Sequence, residues 1–150
     1  MSVEVLDEVG ILEPGELAQL GATPSRFAVV ATVARTDGPQ DSAARAKACV
    51  DRGGPASVCI VLDPLGGFSS TEFGDSTGIG PATEKQAARA GNPDFREGRW
   101  AEGLSAIVGQ TEALGARPVA SAGVSVVGTL AIAVAAALAV LTIGRRRLAR

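Results

Sequence analysis

A long uncharged run near the C-terminus limits what this chain can fold into. Residues 119–144 contain no Asp, Glu, Lys or Arg, and three consecutive arginines follow, beginning at Arg145. At a rise of about 1.5 Å per residue, a helix of this length exceeds the roughly 30 Å hydrocarbon core of a bilayer. A buried core helix is the alternative, but such helices are shorter and apolar on one side only. We therefore predict a transmembrane helix over residues 119–144 and a basic tail over residues 145–150.

The charge of the chain is divided unequally between its two parts. Residues 1–117 hold ten Lys or Arg and sixteen Asp or Glu, a net charge of −6, and four arginines in the tail bring the whole chain to −2. Nucleic-acid binding depends on cationic side chains that replace counterions on phosphates, so we exclude nucleic acid as a partner. About 115 residues are enough for one domain with its own core.

Several classes of catalytic site are excluded by composition. The chain has no histidine, which removes Ser-His-Asp and Cys-His nucleophiles and His-ligated zinc. Neither a cysteine-phosphatase loop nor an aspartyl-phosphate D-x-D motif is present.

The N-terminus and the C-terminal arginines give conflicting information on topology. The first 25 residues contain five acidic side chains and no Lys or Arg, so they do not resemble a secretory signal. The domain is then either cytoplasmic on a tail anchor or translocated ahead of its helix. Arginines after the helix favour a cytoplasmic tail. We therefore expect a single-pass protein of the cell membrane with an extracytoplasmic domain.

Two apolar runs separated by a helical segment predict a β-α-β unit. Residues 27–33 and 58–62 are continuous, β-branched runs, as expected of strands buried on both faces. Between them, Asp41 or Ser42 can cap a helix that runs to Arg52 and stops at Gly-Gly-Pro. A helical connection of this length joins parallel strands. The predicted fold class is α/β, with a central, mostly parallel sheet flanked by helices.

The remaining elements are predicted from shorter patterns. We expect strands over residues 3–6 and 68–73, helices over residues 14–20 and 82–90, and a last helix with helical spacing of Trp100, Leu104, Ile107, Val108 and Leu114. Asp94 and Glu97 have the spacing of a capping box for the last helix. Residues 115–118 form a linker that reaches at most about 14 Å, so the domain is expected to lie against the bilayer surface.

Three segments, taken in order, carry a family resemblance. They are DEVGILEPGE over residues 7–16, the strand over residues 27–33, and DFREGRWAEGL over residues 94–104. Together they resemble the TPM domain, found in bacterial membrane proteins and in plant thylakoid-lumen proteins linked to photosystem repair. In that family the opening reads D-x-x-G-[IV]-L-[ST]-x-x-E, and the close combines Phe, Gly, an aromatic residue and G-L. The first helix here is shorter than is usual in the family, and residues 66–93 align poorly.

The resemblance covers about residues 5–114. The predicted organisation of the chain is therefore a TPM-like domain over residues 1–114, followed by the linker, the membrane helix and the tail. It implies an α/β sandwich with a central sheet, joined to a membrane helix. Family members are described as weak acid phosphatases, as calcium-binding proteins or as auxiliary factors of membrane complexes. The resemblance provides no catalytic residues that can be carried over to this sequence.

The end of the predicted strand over residues 58–62 is the first candidate for a ligand site. Ligands of open α/β sheets bind beyond the carboxyl ends of the strands, where Asp63 lies. Glu72 and Asp75, on the segment that follows, would complete an oxygen-rich site for Ca²⁺ or Mg²⁺. Alternatively, Asp63 caps a turn and the other two carboxylates are solvated.

Cys49 and Cys59 lie ten positions apart, with no zinc spacing. A disulfide between them is conceivable because the helix turns back near Gly53. Helix and sheet layers lie about 10 Å apart, however, and bridged Cα atoms lie within about 7 Å, so two buried free thiols are expected. In the membrane helix, Ala131, Ala135 and Ala139 have the small-xxx-small spacing of self-associating helices, although an alanine-rich composition also explains it.

Two functions from different classes follow. The leading hypothesis is a membrane-anchored interaction or accessory module that is non-catalytic and needs no cofactor, with the lipid bilayer and a membrane protein as partners. The alternative is a weak, calcium-dependent acid phosphatase that uses Asp63, Glu72 and Asp75 as metal ligands.

Overall fold

A computed structural model describes residues 1–115, which form a four-stranded sheet with helices on both faces. The strands are β1 (Glu4–Asp7), β2 (Ala28–Val33), β3 (Ser57–Asp63) and β4 (Phe68–Phe73). The α-helices are α1 (Pro14–Gly21), α2 (Pro39–Gly53), α3 (Pro81–Arg89), α4 (Asn92–Arg96) and α5 (Trp100–Gly115), and a 3₁₀ turn spans Asp75–Thr77. The α/β class with helices around a mixed sheet is therefore confirmed.

The sheet has the order β1-β2-β3-β4, so β1 and β4 are its edges. β1, β2 and β3 are parallel, and β4 returns antiparallel to β3 through a hairpin. The predicted β-α-β unit is confirmed, with α2 beginning at Pro39, two residues before the predicted cap. Proline suits this first helical position because its missing N–H has no partner within the helix.

The main core lies on one face of the sheet. Val29, Ala31 and Val33 alternate along β2 and point to this face, because successive side chains of a strand point to opposite sides. Leu104 and Ile107 of α5 are fully buried against it. Each such buried aliphatic side chain contributes about 1.5 to 3 kcal/mol through the hydrophobic effect.

The opposite face is covered by α2 over only part of its width. α2 contacts β3 and β4, and every residue of β3 is buried. β1 lies at the far edge, and Leu6 remains 44% exposed there. β3 is therefore covered on both faces, whereas every second residue of β2 is only half-buried and β1 is half open.

The expectation of two free thiols is wrong, because Cys49 of α2 and Cys59 of β3 form a disulfide with a Cα–Cα distance of 6.0 Å. The tight turn at the end of α2 explains the difference. The Ser57 hydroxyl donates to the carbonyl oxygen of Gly54, which draws the end of α2 onto the start of β3. At this turn the two layers are closer than the average spacing assumed from the sequence.

The predicted capping box of the last helix is also wrong. Asp94 lies inside α4, a separate five-residue helix, and α5 begins only at Trp100. The carboxylates of Asp94 and Glu97 both accept hydrogen bonds from the guanidinium of Arg99 between the two helices. Asn92 and Pro93 begin α4, and the preceding helix ends at Arg89.

Near its C-terminal end, α5 is fastened to the segment that leads into β2. The Glu112 carboxylate accepts hydrogen bonds from the hydroxyl of Ser25 and from the backbone N–H and Nε of Arg26. The guanidinium of Arg26 also donates to the carbonyl oxygen of Glu112. Burial is the largest single influence on the Glu112 carboxyl, and by itself it would raise the pKa. The hydrogen bonds from Ser25 and Arg26 together outweigh burial, so the pKa of Glu112 lies below its ordinary value.

The predicted membrane helix over residues 119–144, its alanine spacing, most of the linker and the basic tail lie outside the described residues. Gly115, the first residue of the predicted linker, is the last residue of α5. Across residues 1–115, none of the helices has both the length and the apolar character that a membrane crossing requires.

Candidate functional site

Three loops meet at one edge of the sheet. Asp7, Val33 and Leu62 are aligned across β1, β2 and β3, so these parallel strands end at the same level. Adjacent strands lie about 4.8 Å apart, which places the loop after β1 within roughly 10 Å of the loop after β3. We call this the carboxyl edge. It is the position at which α/β sheets bind ligands.

Asp63, the first predicted ligand, is buried at this edge, where its carboxylate accepts four hydrogen bonds. One oxygen accepts from the backbone N–H and the hydroxyl of Thr36, at 2.8 and 3.0 Å. The other accepts from the backbone N–H groups of Leu65 and Gly66, at 3.0 and 2.7 Å. A carboxylate has about four acceptor positions, so this side chain is fully occupied in holding the loops after β2 and β3.

The electrostatics of Asp63 agree with this structural role. Burial acts most strongly on the carboxyl and would raise its pKa, because the charged form loses hydration. The hydrogen bonds from Gly66, Thr36 and Leu65 favour the charged form and together lower the pKa below its ordinary value. Asp63 is therefore an ionised acceptor for neighbouring N–H groups.

Asp7 has the same role in the loop after β1. One carboxylate oxygen accepts from the backbone N–H groups of Val9 and Gly10, and the other accepts from Leu12 at 2.8 Å. Gly10 has φ +66°, a conformation that residues with a Cβ rarely adopt. The Asp-x-x-Gly-Ile-Leu sequence at the start of the family resemblance thus encodes a loop held by a carboxylate.

The loops at the carboxyl edge expose apolar side chains. Val9 and Ile11 are 37% and 38% exposed on the loop after β1, and Leu65 is 64% exposed on the turn after β3. Only five large hydrophobic side chains are exposed in the described part of the chain, and three of the five lie on these loops. Because Asp7 and Asp63 fix the backbone beneath them, the three side chains are held in place at little additional cost in conformational entropy.

Glu72 and Asp75, the other two predicted ligands, lie toward the opposite end of β3. Glu72 pairs with Cys59, four positions before Asp63, a separation of about 13 Å along the strand. Together with Lys47 and Asp51 they line a surface pocket beside α2. The three predicted ligands therefore do not converge. Within residues 1–115, no three His, Cys, Asp or Glu side chains are grouped so that they could hold a metal ion.

A cavity of about 400 Å³ beside the carboxyl edge was not predicted from the sequence. The rings of Phe95 and Trp100 are stacked beside it with centroids 6.1 Å apart, and Arg96 of α4 also lines it. Gly103 of α5 allows this packing, because a Cβ there would clash with the Phe95 ring. The aromatic and glycine positions that carry the closing part of the family resemblance thus pack α4 against α5.

The fold of this chain is similar to that of two solved domains. The N-terminal domain of protein cg2496 from Corynebacterium glutamicum is 16% identical over 81% of this chain and 83% of that chain, with a TM-score of 0.62. The N-terminal domain of a protein from P. gingivalis is 24% identical over 73% of this chain and 80% of that chain, with a TM-score of 0.54. At these identities the likeness shows a shared fold. No protein-family model and no curated protein matches the chain.

Proposed function

We propose that this chain is a single-pass membrane protein whose TPM-like domain is a non-catalytic interaction or accessory module for a membrane protein. The carboxyl edge carries the proposal: exposed Val9, Ile11 and Leu65 stand on loops that two carboxylates hold in place. Apolar side chains on preorganised loops can bind a protein surface with a small loss of entropy. Asp63, the most deeply buried acidic side chain at this edge, has no free acceptor for catalysis or metal binding.

The disulfide supports an extracytoplasmic position of the domain. Disulfides persist in oxidising compartments and are rare in the cytosol, where thiols are kept reduced. The Cys49–Cys59 bond thus favours the topology in which the arginine tail is cytoplasmic. A membrane-impermeant maleimide should label a reporter thiol at Ser2→Cys in intact cells if this topology is correct, and should label it only after lysis if the domain is cytoplasmic.

The proposal is tested by photo-crosslinking of the full-length chain in its native membrane. A photoreactive phenylalanine analogue is placed at Ile11 or Leu65, and at Ser76 as the control. Ser76 is also exposed but lies near the opposite end of β3, where its N–H donates to the carbonyl oxygen of Pro55. We expect the first two positions to capture the same neighbouring protein and Ser76 to capture none. Equal capture at all three positions, or adducts with lipid alone, would overturn the proposal.

A further inference from the structure

β4 has an unpaired edge that can accept another strand. Within residues 1–115 it pairs with β3 on one side and with no strand on the other. Sheet edges are normally protected by Lys, Pro, a bulge, short length or a covering helix or loop. α3 packs against β4 at its C-terminal end, where Phe73 joins Ile79 and Ala87 in a small cluster. β4 has the sequence FSSTEF, which contains neither Lys nor Pro, and all six of its residues pair with β3 without interruption. The opposite edge, β1, has four residues, two of them acidic.

The observed hydrogen bonds show which backbone groups of β4 point outward. The carbonyl oxygen of Leu62 accepts from Ala34 after β2, whereas that of Ser57 accepts from Gly74 after β4. Backbone groups alternate in direction along a strand, so the even-numbered residues of β3 bond toward β2 and the odd-numbered residues bond toward β4. Their partners on β4 are residues 68, 70 and 72. The N–H and C=O groups of residues 69, 71 and 73 consequently point away from the sheet.

These outward groups are symmetric about Thr71. We infer that the chain pairs with a second copy of itself through β4, antiparallel, with Thr71 opposite Thr71 of the other copy. Ser69 then lies opposite Phe73, and each exchanges hydrogen bonds with the other. Glu72, the only charged residue of β4, lies opposite Ser70, so no like charges face each other directly. The two sheets join into one of eight strands.

The Thr71 side chain gives an independent reason for this register. Its hydroxyl oxygen is the one buried side-chain polar atom in the described residues that has no hydrogen-bond partner. A buried hydroxyl without a partner destabilises the fold, because it has lost its hydration and gained no hydrogen bond. Facing threonines on neighbouring strands can form hydrogen bonds with each other. The proposed register places a second Thr71 hydroxyl beside the first on the same face of the joined sheet.

The pairing is tested by disulfide trapping in the full-length chain in its membrane. Facing Cα atoms of a hydrogen-bonded antiparallel pair lie about 5.5 Å apart, within the range for a disulfide. Thr71→Cys should therefore form a covalent dimer under mild oxidation. Ser70→Cys is the matched control, because the two Cα atoms at position 70 would be diagonal neighbours at about 7 to 8 Å, beyond that range.

We expect at least about ten times more covalent dimer from Thr71→Cys than from Ser70→Cys, with both variants retaining the unfolding temperature of the parent chain. Equal yields would overturn the inference, and they would be the result if the copies met only through the membrane helix. This outcome is separate from the photo-crosslinking test, because β4 and the apolar side chains of the carboxyl edge are different surfaces.

A second test of the β4 pairing is residue-resolved hydrogen exchange on the unmodified full-length chain in detergent. This test needs no cysteine variant and so does not depend on how such variants fold. In the dimer, the N–H groups of Ser69, Thr71 and Phe73 are bonded to the other copy, so their protection should fall on dilution. The N–H groups of Ser70 and Glu72 bond to β3 and should remain equally protected. Rapid exchange at residues 69, 71 and 73 at every concentration would overturn the inference.

Discussion

Asp63 and Glu72 were predicted to bind the same metal ion, yet they lie in contrasting surroundings. Asp63 is buried and accepts four hydrogen bonds, three of them from backbone N–H groups. Glu72 is half-buried on an edge strand and lines a pocket that also contains Lys47. The comparison shows that the role of an acidic residue depends on the backbone N–H groups around its carboxylate. Where a loop turns several N–H groups toward a carboxylate, that carboxylate becomes part of the loop.

The largest effect should come from removing the Asp63 carboxylate. Asp63→Ala removes a buried carboxylate and leaves the partly buried N–H groups of Thr36, Leu65 and Gly66 without their acceptor, so it should lower the free energy of unfolding by about 3 kcal/mol. Glu72→Ala, the matched substitution on β4, should change it by less than about 0.5 kcal/mol. Urea unfolding of the detergent-solubilised chain measures both. Equal losses would contradict the distinction between the two carboxylates.

The disulfide beside Glu72 should have the next largest effect. Replacing Cys49 and Cys59 together by Ala opens a short loop and should cost about 2 to 3 kcal/mol, because the unfolded chain regains conformational freedom. The same unfolding experiment on the parent chain after reduction provides the control. A loss below about 0.5 kcal/mol in both would mean that the bond adds little to the stability of this end of the sheet.

The Asp63 carboxylate should make the stability of the chain depend on pH. The folded state lowers the pKa of Asp63, so the unfolded chain binds a proton at this site more readily. The stabilisation is complete above the ordinary Asp pKa of about 4 and is lost as the pH falls toward the lower folded value. Stability measured from pH 7 down to pH 3 should therefore decrease. Asp63→Asn should have a shallower acid dependence than the parent chain, and an equally steep decrease in both would contradict the lowered pKa of Asp63.

The smallest effect is expected from calcium. Because Asp63, Glu72 and Asp75 do not converge, 1 mM CaCl₂ should leave the unfolding temperature of the full-length chain unchanged relative to MgCl₂. Differential scanning fluorimetry in detergent measures this. A calcium-specific increase that Glu72→Gln abolishes would favour the metal-assisted phosphatase, and turnover of a phosphomonoester should then be measured on the same variants.

Much of the fold was predictable because its two central strands have continuous apolar sequences, although only β3 is buried along its whole length. The runs over residues 27–33 and 58–62 are continuous and β-branched, and the connection between them has the length of a parallel crossover. The position of Asp63 at the carboxyl edge followed from this pattern. Its role as the cap of the turn after β3 was the alternative given beside the metal site, and that alternative is confirmed. Its bonds to Thr36 were not predicted, because they come from a second loop whose conformation no periodic pattern specifies.

Features that depend on contacts between distant residues were missed. The disulfide depends on how closely the turn at Gly54 draws α2 onto β3, and an average layer distance gave the wrong answer. The cavity beside Phe95 depends on a glycine eight positions later in α5. For Asp7 a signal was available, since Asp followed by Gly three residues later is typical of a side chain that bonds its own loop.

The attachment of α5 near Arg26 has a mechanical consequence. Any tension on the polypeptide beyond Gly115 acts first on the last turn of this helix, which by itself would unwind from its end. The carboxylate of Glu112 and the guanidinium of Arg26 tie that turn to the segment before β2, an inner strand of the sheet. Unwinding of α5 from this end therefore has to break the ion pair and its hydrogen bonds.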